Sequence, residues 1–383
     1  MDEQAKEKFR KFKKDSINEY NKYLPYLKKY WFLVLILIPL FLSTYLRIQP
    51  ALLPAADVWA QNTIYNNVRN EMSSQVDQQY PNLPSANKEA VINQKTDEFM
   101  RNNRDIINQN INTLSDQFRS KLRDENGNPY LSAIDSYFWT RHARNVANNG
   151  HPGDEIRDGK PFDNHMLAPL GRPVPPDMFH AYFQGYLFKI VNFFNRNTTI
   201  EKVAFFVPIV LMGLSVIVAF FLGRILGGNI AGFFSATIIA IHQSILVRII
   251  GGLTDTDAYQ ILFPFLIILA FFLALNAQST IKRILYSLLT GYLMGFYSFA
   301  WGGWWYVAFY IFGALFIYLT SLFVNSLRKK EIKGIFKGTS FSRTLQISLV
   351  ILISALASIS VFSGPKEIAE FSSKALGFIV IHE

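Results

Sequence analysis

Seven nearly uninterrupted apolar runs mark the chain: Trp31–Leu46, Val203–Leu222, Ile230–Val247, Tyr259–Leu275, Ile284–Phe299, Trp304–Val324 and Thr344–Phe362. Each approaches the roughly 20 residues an α-helix needs to cross a bilayer. The pattern predicts an all-α polytopic membrane protein with about seven transmembrane helices. The first run (31–46) is followed by a long polar stretch (47–202), and the other six fall within 203–362. In 60–125 apolar residues recur at helical spacing: Ile64, Val68, Met72 and Val76 form one stripe, and Ile107, Ile111, Leu114, Phe118 and Leu122 another. "YPNLPS" (80–85) between them is turn chemistry, so the insertion reads as a helical hairpin. Met178–Phe194 is apolar as well. Counting it as a span would invert every later segment, so it is expected to lie as an interfacial helix.

Charge supplies the orientation. Basic residues crowd residues 1–30, recur at Arg224, Lys282 and Arg283, and cluster again at Arg328, Lys329, Lys330, Lys333, Lys337 and Arg343. Because basic loops stay cytoplasmic, the N-terminus is placed inside. The 47–202 segment and Gly251–Asp257 are then placed at the cell exterior, and 363–383 as the start of a later external segment. The net charge of +10 is therefore a topology signal, and no nucleic-acid partner is expected. Only 17% of residues are charged, against 34 Phe and 18 Tyr, which fits contact with a lipid bilayer. With no cysteine, disulfides, thiolate metal sites and cysteine nucleophiles are excluded. Val58-Trp59-Ala60 faintly resembles a signal-cleavage site, but the 30-residue basic leader and the length of the first run favour an uncleaved anchor.

Against this sparing use of charge stands "GGLTDTDAYQ" (251–260), with Asp255 and Asp257 one residue apart at the rim of the membrane. One carboxylate could cap the helix that starts near Tyr259. A second in an apolar setting is costly without a cation. Asp-x-Asp in extended backbone can instead present both carboxylates to one oxygen-coordinated divalent ion, Mn²⁺ or Mg²⁺. Both readings stay open on the pattern alone.

The surroundings carry a resemblance. "IHQSILVRIIGGLTDTDAYQILFPFLIILAFFLAL" (241–275) resembles the segment around the second acidic motif of oligosaccharyltransferase catalytic subunits of the archaeal type. "AIDSYFWTRHARN" (133–145) is similar to the family's first acidic motif, and "SFAWGGWW" (298–305) to its Trp-Gly-Gly stretch. The resemblance implies a GT-C-type glycosyltransferase with Asp135, Asp255 and Asp257 as ligands of a divalent metal. It implies transfer of an oligosaccharide from a polyprenyl (phospho)phosphate donor to the Asn of an Asn-X-Ser/Thr acceptor protein or peptide, with inversion at the anomeric carbon. Asp135 would also hold the acceptor amide, and Arg248 would meet a lipid phosphate or anchor the interface.

The family's later external loop with its catalytic Glu, and its soluble domain with a Trp-Trp-Asp-Tyr-Gly pocket, have no counterpart here; neither Glu370 nor Glu383 is given that role. The chain is expected to be the N-terminal membrane part of a longer enzyme. Arg141 and Arg144 are expected either to pair with acids of their own loop or to line a solvated face. His142, His151, His165 and His180 lack metal-ligand spacing and are not expected to bind metal. His242, inside a run, is expected to serve function or to bond a neighbouring helix. Asn197-Thr198-Thr199 is a glycosylation sequon. The rival readings are an O-mannosyltransferase-like enzyme and a transporter or scaffold. Asp-Thr-Asp with Trp-Gly-Gly disfavours the first, and the scarcity of ionisable residues in the runs disfavours the second.

Overall fold

The computed structural model describes residues 30–329, 335–336 and 339–370. The basic leader up to residue 29, Lys330, Lys333, Lys337 and the segment 371–383 with Glu383 lie outside them. The chain is a helical bundle with a helical and partly extended layer at one end. Its first helix, α1 (Phe32–Ile48), leads through a 3-10 turn into α2 (Ala55–Gln79), α3 (Ser85–Asn102) and α4 (Arg104–Lys121). Then come α5 (Ile134–Asn149), a small antiparallel sheet of β1 (Glu155–Arg157), β2 (Lys160–Asp163) and β3 (Arg172–Pro173), and α6 (Phe179–Phe194). The bundle proper continues with α7 (Ile200–Ile241), α8 (Gln243–Arg248), α9 (Tyr259–Asn276), α10 (Thr280–Ala300), α11 (Trp305–Arg328) and α12 (Ser340–Phe362).

All seven apolar runs fall on helices, but five helices among the described residues are long and apolar enough to cross a membrane. Two differences separate five from seven. Helix α7 carries the second run and most of the third, which continues past His242 into α8, and is broken at Gly227 and Gly228, where φ reaches +75°. Its arms fold back on each other: a Cβ on Gly232 would stand 2.7 Å from the Phe220 carbonyl, and one on Gly223 2.7 Å from that of Ala231. In α10, Arg283 and the many Tyr, Ser, Thr and Gly residues dilute the apolar character.

The insertion is three helices rather than a hairpin. The turn at 80–84 forms as expected, but the chain breaks again at Asn103, whose backbone is not helical (φ −110°, ψ 26°). Val68, Met72 and Val76 of α2 bury against Ile92 of α3 and Ile107 of α4. The expected stripe on α2 is thus its core face. Helix α6, at 16 residues, is about 24 Å long and is not among the five.

The two ends of the bundle are distinct. At one, the Arg224 guanidinium lies 3.9 Å from the centre of the Phe32 ring, close to the Gly227–Gly228 turn. At the other, about 22 Å away along α1, Arg47 is wholly buried and donates to the Ala240 carbonyl (2.7 Å) and to Ser43 Oγ (3.0 Å). Helices α10 and α12 approach closely because small residues face each other. Ser358 Oγ donates to the Gly291 carbonyl at 2.9 Å. A Cβ on Gly291 would meet the Ile351 carbonyl at 2.6 Å and the Ala355 amide at 2.7 Å. Since backbone cannot swing aside, Gly291→Leu is expected to destabilise the bundle by about 2–3 kcal/mol, read as a lower unfolding temperature in detergent.

Candidate active site

The loop 251–257 is stitched along the first turns of α5. Ser132 N–H donates to the Gly252 carbonyl (2.9 Å), Thr254 N–H to Ser136 Oγ (3.0 Å), and the Trp139 indole N–H to Asp255 Oδ1 (2.9 Å). From the opposite side, Gly251 N–H donates to the Arg47 carbonyl (2.9 Å) and Gly252 N–H to that of Phe205 (3.0 Å). Glycine is required at 252: φ is +85°, and a Cβ would stand 2.8 Å from Ser132 Oγ.

This stitching brings the expected residues to one rim. Asp135 is exposed in the first turn of α5, where a helix N-terminus favours negative charge. It lies on the same helix face as Trp139, one turn on. Asp255, half-buried and extended (φ −145°, ψ −179°), caps the 3-10 turn Thr256–Ala258 by accepting from Thr256 N–H (2.6 Å). Capping and the Trp139 bond both use its Oδ1. Asp257, also half-buried, accepts from Gln260 Nε2 through Oδ1 (3.1 Å). The second oxygen of each has no hydrogen-bond partner among the described residues. Arg248, exposed at the end of α8, is the cation that faces Asp257.

The Trp-Gly-Gly stretch turns between α10 and α11 at the same end. Phe179 at the start of α6 packs on Tyr259, Phe296 and Phe299, with ring centres 5.1, 4.9 and 5.7 Å apart. Beside these rings an apolar groove of about 670 Å³ is lined by Tyr182, Phe183, Ile190 and the prolines 152, 161, 175 and 176.

A second cluster was not legible in the sequence. Asp154, Asp163 and His165 are brought within 4.8 Å of one another, a spacing compatible with a metal ion. The β1–β2 hairpin makes this possible by folding 154 back beside 163. Arg141 already stands between them, donating to both oxygens of Asp154 (2.9 and 3.0 Å) and to Asp163 Oδ2 (2.6 Å). Asp163 Oδ1 accepts from the N–H groups of His165 and Met166. All four oxygens of these carboxylates are thus hydrogen-bonded by the chain's own groups, whereas Asp255 and Asp257 each keep an oxygen with no such partner among the described residues. The oxygen donors at the carboxylate loop fit a hard divalent cation. Asp135, Asp255 and Asp257 do not themselves form such a 4.8 Å group among the described residues.

Arg141 therefore pairs with acids of its loop rather than lining a solvated face, and Arg144 pairs with Glu201. His242 is exposed at the break between α7 and α8, and Asn197 is exposed just before α7. The buried His142 donates through Nδ1 to the Pro152 carbonyl (2.6 Å), which leaves Nε2 to accept from Arg141. Burial, reinforced by Arg141, holds its pKa below the ordinary value.

Fold and site together define a multi-pass membrane protein with a carboxylate-bearing loop gathered at one end of its bundle. The family model of the oligosaccharyl transferase STT3 N-terminal region matches residues 106–381, and the chain belongs to that family. It is similar to a dolichyl-phosphooligosaccharide-protein glycotransferase of Methanococcus voltae, 28% identical over 64% of this chain and 28% of that one. A protein of the same description from Methanocaldococcus jannaschii is 35% identical over 40% of this chain and 17% of that one. The matches thus span less than a third of either relative. Among solved structures, the archaeal oligosaccharyltransferase AglB from Archaeoglobus fulgidus, in complex with an inhibitory peptide and a dolichol-phosphate, aligns with a TM-score of 0.50 at 18% identity. That alignment covers 93% of this chain and 38% of that one, a likeness of fold.

The Arg141 network generates a pH prediction. Burial opposes the charge of Asp154, but hydrogen bonds from His165, Asn145 and Asn164 outweigh it. At Asp163, likewise against burial, Arg141 and two backbone N–H groups do so, and both carboxyls lie below their ordinary value. Groups depressed in the folded state bind more protons when unfolded, so stability rises with pH. The protein should lose stability below about pH 6.5 as His142 is driven to protonate, and again below about pH 4 as the two carboxylates do. Arg141→Met should lower stability at pH 7 by about 3 kcal/mol and flatten the loss in the acid limb, measured as unfolding temperature against pH.

Proposed function

We propose that this chain is the N-terminal, membrane-embedded catalytic part of an oligosaccharyltransferase. The reaction is transfer of an oligosaccharide from a polyprenyl (phospho)phosphate carrier to the side-chain amide of Asn in Asn-X-Ser/Thr acceptors. The observation that carries this reading is the stitching of α5 to the 251–257 loop, which sets Asp135, Asp255 and Asp257 on one rim beside an apolar groove. Membership of the family and the descriptions of the archaeal relatives support it.

In this reading Asp135, Asp255 and Asp257 hold a divalent cation, Mn²⁺ or Mg²⁺. When bound, such a cation neutralises charge developing on the departing phosphate. Two half-buried carboxylates with one free oxygen each, and a third on the facing helix, supply hard oxygen ligands. Arg248 meets the lipid phosphate at the rim, and the apolar groove offers the isoprenoid chain a place next to it. Asp135 accepts a hydrogen bond from the acceptor amide N–H, which orients a weak nucleophile whose lone pair is delocalised. Attack from the face opposite the phosphate inverts the anomeric carbon.

The site faces the cell exterior and the N-terminus the cytoplasm. Arg224 at the Gly227–Gly228 turn and the carboxylate loop at the Arg47 end lie at opposite ends of the bundle, as the basic-inside pattern requires.

The test is glycan transfer in detergent from a polyprenyl-linked donor to an Asn-X-Thr peptide, using the complete gene product with and without chelator. Asp255→Ala and Asp257→Ala should each lower transfer by about 100-fold or more, and chelation should abolish it until Mn²⁺ is restored. Transfer indifferent to chelator and to both substitutions would leave Asp255 a turn cap and overturn the assignment.

A further inference from the structure

His180, the second residue of α6, is wholly buried behind the carboxylate loop and belongs to none of the roles above. Its Nδ1 lies 2.9 Å from Tyr259 Oη and its Nε2 3.1 Å from Thr254 Oγ1. Gln184, one turn further along α6, donates to Thr254 Oγ1 at 2.8 Å and contacts the same ring nitrogen of His180. The Trp139 indole that donates to Asp255 packs edge-on against the His180 ring, centres 5.3 Å apart at 85°. One imidazole therefore grips the residue just before Asp255 and the residue two after Asp257, and supports the indole that holds Asp255 itself.

The hydrogen-bond inventory fixes how the ring is used. The Gln184 amide has two protons, one reaching Thr254 Oγ1 and the other His180 Nε2; Nε2 accepts from the Thr254 hydroxyl as well as from Gln184, and Nδ1–H donates to Tyr259 Oη. Turning the Gln184 amide over would strand two buried donors instead of the single acceptor now left unpaired. The ring so placed is neutral: burial, only partly offset by Asp255 and Thr254, holds its pKa at about 4. It acts by position, as a bridge between two points of the segment that presents the carboxylates.

We propose that His180 is a positioning residue for Asp255 and Asp257, tying Thr254 to Tyr259 so that the two carboxylates are held at the spacing a divalent cation requires. The inference rests on the reading of those aspartates as metal ligands. Ligands must be oriented before the ion arrives, and groups that do the orienting affect metal affinity by about 10–100-fold. Locally, Thr256 N–H and Gln260 bond one oxygen of each carboxylate, but among the described residues no side chain of the segment ties Thr254 to Tyr259. The neighbouring helix supplies that tie.

The test is Mn²⁺ titration followed by electron paramagnetic resonance on the detergent-purified complete protein, with unfolding temperature and transfer rate measured alongside. His180→Phe keeps the ring volume and removes both bonds. It should raise the Kd for Mn²⁺ about tenfold, while transfer at saturating Mn²⁺ stays within about threefold of wild type. His180→Asn, which can still reach Tyr259, should fall between. Thr254→Val and Tyr259→Phe each delete one bond and should raise Kd about threefold, carrying the test if His180→Phe fails to fold. An unchanged Kd in His180→Phe, or in both single-bond variants, overturns the proposal. Asp255→Asn is the control for the underlying reading: if it binds Mn²⁺ like wild type, the aspartates are not ligands and that reading fails instead.

Discussion

The candidate site depends on one constraint: the backbone of 251–255 has to run in contact with the first two turns of α5. Three bonds at Ser132, Ser136 and Trp139 achieve this, and two more from Gly251 and Gly252 reach the ends of α1 and α7. A side chain at 251 or 252 would push the loop off its neighbours, because a Cβ there would meet the Arg47 carbonyl or Ser132 Oγ at 2.8 Å. Residues about 120 apart in sequence, Asp135 and Asp255, thereby come to share one rim. The bundle is what holds the five anchor points in place.

Around that contact, charge is distributed by two different rules. In the hairpin cluster, Arg141 offsets one of the two charges of Asp154 and Asp163, and every oxygen of both carboxylates is hydrogen-bonded by Arg141, Asn145 or backbone N–H groups. Such a closed network fastens β1 and β2 to α5 and offers little to an incoming ion. At the carboxylate loop the compensation is incomplete: capping and indole bonds occupy one oxygen of Asp255, an amide one oxygen of Asp257, and Arg248 stands near without a hydrogen bond. Each of these aspartates thus keeps one oxygen open to an incoming cation.

Much of this was legible in the sequence because the signals were local and strong. The apolar runs located the bundle helices, "YPNLPS" located a turn, and Asp-Thr-Asp stood out against a chain poor in charge. What escaped was long-range or backbone-determined. The break of α7 at Gly227–Gly228 falls between the second and third apolar runs, whereas the break at Asn103 has no proline or glycine to announce it. His165 has no ligand partner at a recognisable spacing, since only the β1–β2 pairing brings Asp154 to it. Arg141 could be read equally as solvated or paired until the hairpin placed two acids around it. His180 and Gln184, one turn apart on a helix of mostly apolar residues, gave no hint that their partners were Thr254 and Tyr259. Asp255 caps the 3-10 turn through one oxygen, so the cap that the pattern allowed is formed and leaves the other oxygen without a partner among the described residues.

The central claim is that the rim of Asp135, Asp255 and Asp257, and not the Asp154–Asp163–His165 cluster, is where a divalent cation binds. The most direct measurement is an anomalous-difference map at the manganese edge from crystals of the complete protein grown with Mn²⁺. The account predicts a single strong peak in contact with Asp255 and Asp257 and within reach of Asp135. A peak at Asp154, Asp163 and His165, with Arg141 displaced and none at the rim, would contradict it.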